Sequence, residues 1–156
     1  CYAAIREHAE DALAAHRRGE PDDAFERTVE ATILLSGLAF ENGGLSIAHS
    51  LTRGLSADPV LARTLHGEQV AWGLLVQLVL EGRDDAMLDD LLGFYRRVGL
   101  PRSLRALGYP GDVYDIAPAI ARITWERAPY VKHLRAPVDA GRIEAAIGVL
   151  EAREDT

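Results

Sequence analysis

Apolar residues recur at helical spacing along most of the chain, and no alternating pattern of useful length interrupts them. Apolar positions three and four apart line one face of an α-helix, whereas strict alternation indicates a strand. Glycine and proline stand between the periodic segments, where they end or begin helices. The pattern predicts helices over residues 1–18, 22–41, 45–53, 66–81, 84–98, 113–126 and 138–153, with a short helical turn over 101–107. We therefore predict an all-α fold and a single helical domain over residues 1–156.

Two segments allow a prediction about burial. Residues 31–40 are apolar all round, a pattern typical of a buried central helix. Residues 151–156 are mostly charged and end the last predicted helix, so we expect them to fray.

The composition and charge of the chain limit the classes of function that it can have. Acidic residues outnumber basic ones by 24 to 17, for a net charge of −7, which is unlike a nucleic-acid-binding protein. The single cysteine excludes an internal disulfide and fits a reducing cytoplasm. No run of about 18 apolar residues is present, so we expect no membrane-spanning helix and a cytoplasmic location.

Two histidines lie at the centre of the chain on segments rich in apolar and small residues. His49 falls on the inward stripe of the helix predicted over 45–53, and His66 opens the helix predicted over 66–81. Val70, Leu74 and Leu78 continue the face of His66 at intervals of four residues and predict core packing along it.

Each imidazole needs a partner, because an unpaired buried polar group costs about 1–3 kcal/mol. A shared metal ion would satisfy both rings, and so would a hydrogen bond from each ring to a backbone carbonyl. The sequence His66-Gly67-Glu68 is not the His-Glu-x-x-His zinc motif, because its glutamate is one position late. The residues alone favour two structural histidines and leave the metal site as the alternative.

Three stretches around the histidines carry a more specific signal. They are Ser36-Gly37-Leu38-Ala39-Phe40-Glu41-Asn42-Gly43-Gly44-Leu45 with Ala48-His49, His66-Gly67-Glu68-Gln69-Val70-Ala71-Trp72-Gly73, and Val98-Gly99-Leu100-Pro101. In this order they resemble the metal-binding helical domain of the glycerol dehydrogenases, within the iron-containing alcohol dehydrogenase superfamily. The resemblance is good over residues 1 to about 108 and weak beyond.

The resemblance implies a dehydroquinate-synthase-like C-terminal helical domain. In that family an α/β nucleotide-binding domain comes before the helical one, and this chain does not contain it. The chain also opens at Cys1, without methionine, and runs directly into helical sequence. We therefore expect this chain to be the C-terminal half of a two-domain enzyme.

The resemblance also assigns site residues. It implies that His49 and His66 are ligands of a divalent metal ion, zinc or alternatively iron, with an aspartate from the missing part as third ligand. It places Phe40 against the substrate. NAD would be bound mainly by the missing domain, so this chain has no assigned cofactor-binding or catalytic residue. Glu68 has two interpretations, a carboxylate that orients a histidine or a solvated residue at a helix start.

The implied function is a metal-dependent, NAD-linked dehydrogenase of a small alcohol or polyol, with glycerol as the leading substrate. Its partners would be the N-terminal nucleotide-binding domain and further copies in a homo-oligomer, with no nucleic acid and no membrane. One alternative is a dehydroquinate-synthase-like cyclase, whose sugar phosphate requires nearby cations such as Arg53 and Arg63. The other alternative is a non-catalytic helical assembly domain.

Overall fold

The computed structural model describes residues 1–133 and 137–153, and within these ranges the fold is all-α, as predicted. The α-helices are α1 Tyr2–Arg18, α2 Asp23–Glu30, α3 Ser36–Gly43, α4 Ile47–Leu55, α5 His66–Leu80, α6 Asp85–Val98, α7 Val113–Arg127 and α8 Ala140–Ala152. A π-helical segment, Ala31–Leu35, joins α2 to α3, and the segments Leu61–Arg63 and Pro129–His133 are 3-10 helices. The turn predicted over 101–107 contains backbone turn bonds from Ser103 onward but no helix.

The chain divides into two compact units, Cys1–Gly44 and Leu45–Thr156. The division falls at Gly44, whose φ of +67° is a left-handed conformation that glycine adopts without a steric penalty. The prediction of a single domain over residues 1–156 stays a prediction.

The first unit is a helical hairpin of α1 against α2 and the π-helical segment. Helix α1 ends at Gly19, which is left-handed and donates its N–H to the His16 carbonyl oxygen. The Asp22 carboxylate accepts the Phe25 N–H and so caps α2. Alanines form the buried contact of this hairpin, namely Ala9, Ala12, Ala15 and Ala31.

The prediction that residues 31–40 form a buried helix is wrong for this unit. The side chains of Ile33, Leu34, Leu38 and Phe40 are between 50% and 72% exposed, and only Ala31 is fully buried. The hairpin covers the side of the helix that carries Ala31, and a two-layer arrangement leaves the opposite side open.

The second unit is built around α4 and α5, with α4 also packed on α7 and α8 packed on both α5 and α7. At the α4–α7 crossing, a Cβ on Gly54 would lie 2.4 Å from the Ile120 carbonyl oxygen, so only glycine fits there. The fully buried side chains of this unit include Ile47, Leu51, Leu55, Trp72, Leu75, Val76, Ile120, Ile147 and Leu150.

The buried face of α5 differs from the predicted one. Leu78 is buried as expected, but Val70 and Leu74 are only half-buried. The residues that face the core include Gln69, Trp72, Gly73 and Val76. A helix that is apolar nearly all round has no single stripe from which its buried face can be identified.

The end of α8 is ordered where fraying was expected. Glu151 lies inside α8 and is only 7% exposed. Its Oε1 accepts the Trp72 indole N–H at 2.9 Å and the Leu104 N–H at 3.0 Å. The prediction was therefore wrong for Glu151, while residues 154–156 lie outside the described residues.

None of the described helices is by itself long and apolar enough to cross a membrane. On length and composition alone, Asp23–Gly43 and Ile47–Leu55 would qualify together as a bent pair.

Candidate metal centre

The first turn of α4 rests directly on α5. A Cβ on Gly73 would lie 2.5 Å from the Ala48 carbonyl oxygen, so the two backbones can approach this closely only because residue 73 is glycine. The Ala48 N–H also donates to Oε1 of Gln77, at 3.1 Å. These two contacts fix the backbone immediately before His49.

His66 is the first residue of α5, and the loop before it is held by side chains. The Leu65 N–H donates to Oε2 of Glu68 at 3.1 Å, which caps the helix. The buried amide of Gln69 donates to the Leu61 carbonyl oxygen at 2.9 Å and to the Thr64 hydroxyl at 3.2 Å. The structure therefore supports the second interpretation of Glu68, that of a residue at the start of a helix.

The two histidines that the sequence singled out lie together. Their ring centroids are 5.6 Å apart, and the rings are tilted by 56°. His49 is half-buried and His66 is exposed, so the pair lies at an open face of the second unit. Within the described part of the chain, neither ring hydrogen-bonds to a backbone carbonyl, the partner that structural histidines would need.

The separation of the rings fits a shared metal ion. A zinc–nitrogen bond of about 2.0–2.1 Å and a tetrahedral angle place two ligating imidazole centroids about 5.2 Å apart. The observed centroid separation of 5.6 Å is slightly larger, and a small rotation of either side chain would remove the difference. Two neutral imidazoles also form a suitable donor set for a borderline-soft divalent ion.

Electrostatics favour the ligating form of His49. Burial, and secondarily the neighbouring His66, lower the pKa of His49 below its ordinary value. A lowered pKa keeps the imidazole neutral at physiological pH, and the neutral ring has the lone pair that a metal requires.

The site is incomplete within the residues that the structure describes. In residues 1–133 and 137–153, no group of three or more histidine, cysteine or carboxylate side chains is placed to hold a metal. Two protein ligands are too few for a catalytic zinc, which has three. Metal binding by His49 and His66 stays a prediction, as does substrate contact by Phe40, a half-exposed residue of the first unit.

Sequence reasoning missed two residues near this site. Gln77 is an amide within an apolar run, and its need for a polar partner was a signal that could have identified it. His133 had no assigned role. Its Nδ1 lies 2.7 Å from the Leu45 carbonyl oxygen, and the Tyr130 ring lies beside it at 5.8 Å between centroids. Nothing in the local sequence predicts a contact between residues so far apart along the chain.

Replacing Gly73 by alanine will separate α4 from α5. The new Cβ would meet a backbone oxygen, which cannot rotate away, and overpacking of this kind costs about 1–3 kcal/mol. We expect a lower melting temperature and weaker zinc binding. The matched control is Gly67→Ala, because a Cβ on Gly67, also in α5, meets nothing within 4 Å. Equal effects of the two substitutions would contradict the prediction.

Comparison with known proteins identifies the family. No protein-family model matches the chain. Glycerol dehydrogenase 1 of Schizosaccharomyces pombe is 34% identical over 97% of this chain. The crystal structure of a probable glycerol dehydrogenase from Sinorhizobium meliloti superposes on 99% of the chain with a TM-score of 0.94 and 34% identity. The chain is a glycerol dehydrogenase homologue.

The match covers only part of these glycerol dehydrogenases. The chain spans 34% of the length of the S. pombe enzyme and 44% of the S. meliloti chain. Its all-α fold is that of their helical C-terminal part. A glycolaldehyde reductase of Halobacterium salinarum is also similar, with 41% identity over 69% of this chain and 30% of that protein.

Proposed function

We propose that this chain supplies the metal-ligand part of the active site of an NAD-linked polyol dehydrogenase, with glycerol as the substrate. The observation that carries the proposal is the pair His49 and His66, with ring centroids 5.6 Å apart at an open face. The pair lies in a chain 34% identical to a glycerol dehydrogenase. The nucleotide-binding domain and the third metal ligand belong to a part of the enzyme outside this chain.

The residues of this chain would hold and orient the metal, zinc in preference to iron. A bound ion would supply Lewis acidity to a substrate hydroxyl, and NAD would supply the hydride acceptor. His49 and His66 contribute neutral imidazoles, and the low pKa of His49 keeps it unprotonated. The Gly73–Ala48 contact and the Glu68 cap hold the two ligands on separate, mutually packed helices.

The alternative cyclase has less support. It would act on a sugar phosphate and needs cations beside the metal. Arg53 and Arg63 are the candidates between the histidines, and both are exposed to solvent. The relatives named above are dehydrogenases or reductases of small hydroxy compounds, which supports the redox reaction instead.

Assembly and location are part of the same proposal. We place the enzyme in the cytoplasm, because its one cysteine fits a reducing compartment. We propose a homo-oligomer, supported by the exposed apolar side chains Ile33, Leu34 and Leu38 of the first unit.

The test is metal content and turnover of the purified full-length protein. We expect about one zinc ion per chain and glycerol-dependent NADH formation, lost on chelation and restored by zinc. Ethanol and 1,2-propanediol test the alcohol class, and glycolaldehyde with NADH tests the reverse direction. Undiminished turnover by the metal-free protein, or no NAD-linked turnover of any alcohol, would overturn the proposal.

The isolated 156 residues will show no dehydrogenase activity, because a third ligand and a nucleotide site are needed for hydride transfer. The measurement is NADH formation from glycerol with added zinc, and the full-length protein is the positive control. Alcohol-dependent NADH formation by the isolated chain would refute this prediction.

A further inference from the structure

The start of α4 depends on contacts from outside the helix. Its N-cap residue, Ser46, makes no side-chain cap hydrogen bond, so the helix does not fix its own first turn. The first helical hydrogen bond runs from the Ser50 N–H to the Ser46 carbonyl oxygen. The Leu45 carbonyl therefore precedes the helical ladder and takes its hydrogen bond from a group outside the helix.

His133 supplies that group. Its Nδ1 lies 2.7 Å from the Leu45 oxygen. A carbonyl oxygen only accepts, so Nδ1 carries the proton and donates it. The Tyr130 ring lies beside the imidazole and limits its rotation. The 3-10 segment Pro129–His133 is thus tied by a side chain to the residue that leads into α4.

This hydrogen bond lies just before the helix that carries His49. Leu45 is four residues before His49 and one before the N-cap Ser46, whose extended backbone separates it from α4. Gln77 holds the Ala48 N–H against α5, and His133 holds the Leu45 carbonyl just before the helix begins. These two hydrogen bonds therefore anchor the backbone on both sides of Ser46, at the start of the helix that carries His49.

We propose that His133 is a positioning residue for the metal centre: its Nδ1–H anchors Leu45 and thereby holds His49 in register with His66. This proposal rests on the proposed function, since it assumes that the histidine pair binds a metal. Groups that hydrogen-bond directly to a metal ligand typically change metal affinity by about 10–100-fold, and a group that acts through the backbone should fall at the lower end of that range.

The test compares two amides at this position in the full-length protein. In His133→Asn the side-chain N–H falls near the position of Nδ1, whereas in His133→Gln it falls near that of Nε2. We expect the zinc Kd, measured by titration into metal-free protein, to rise about 10-fold for His133→Gln. We expect His133→Asn to stay within a few-fold of wild type. His16→Gln, at an exposed position of α1, is the matched control and should change nothing.

The two variants also distinguish a positioning role of His133 from a general effect on protein stability. Both side chains are polar and the site is exposed, so the metal-free melting temperature should be the same for wild type and both variants. A wild-type zinc Kd in His133→Gln, or equal weakening in both variants, would overturn the proposal while the function stands. A wild-type protein that binds no zinc would overturn the proposed function and this inference together.

Discussion

Replacing His49 or His66 by alanine in the full-length protein will abolish zinc binding and lower kcat/KM for glycerol by at least about 10³-fold. The estimate follows because a catalytic metal stabilises the transition state by several kcal/mol, and each 1.36 kcal/mol is about tenfold in rate. A site with three protein ligands does not hold the ion at working concentrations after one is lost. The measurements are zinc content by mass spectrometry and steady-state kinetics with NAD.

The double variant provides a stricter test. If the histidines act as one unit through a shared ion, His49→Ala/His66→Ala will be no slower than either single variant. Two independent structural roles would instead give multiplied losses. His16→Ala is the control, because this exposed histidine on α1 has no place in the site. Turnover near the wild-type rate in both single variants would exclude the metal-centre interpretation.

The fold was largely predictable because the helix ends carry local signals. Asp84 caps α6 by accepting the Met87 N–H, and Gly99 ends the same helix in a left-handed conformation. Gly19 ends α1 in the same way. These signals depend on one or two residues each, so the boundaries could be read directly from the chain.

Burial was less predictable because it depends on what covers a helix. Residues 31–40 have the composition of a core helix, yet Phe40 and Leu38 are half exposed in the hairpin unit. On α5 the predicted ridge at Val70 and Leu74 is only half-buried. Where a helix is apolar on every side, the neighbouring helices decide which side is buried, and their positions are not local information.

The candidate site could be predicted only in part, for the same reason. The residues alone favoured two separate structural histidines, and only the family resemblance joined them at one metal. Their proximity results from the backbone contact of Gly73 with Ala48, which no periodicity predicts. His133 and Leu45 meet across 88 positions of the chain, so their contact could be found only in the structure.

Replacing Glu151 by alanine will give a large loss of stability that does not depend on the metal. The carboxylate is 7% exposed, and it accepts the Trp72 indole N–H and the Leu104 backbone N–H. Both donors belong to residues that are fully buried, so removal of the carboxylate takes away the protein acceptor of two buried N–H groups. A buried donor left unpaired costs about 1–3 kcal/mol, and two such donors cost about 2–6 kcal/mol.

The expected result is a melting temperature lower by about 2–7 °C for the metal-free full-length protein. Glu144→Ala is the matched control, because Glu144 is exposed on the same helix and the helix propensity changes equally. Glu151→Gln should fall between wild type and Glu151→Ala, because its amide oxygen can accept in place of Oε1 while its NH₂ group replaces Oε2, which accepts the Leu104 N–H at 3.2 Å. A melting temperature of Glu151→Ala equal to that of Glu144→Ala would contradict the prediction. The carboxylate would then not be needed to pair the donors that join α5, the turn at Leu104 and α8.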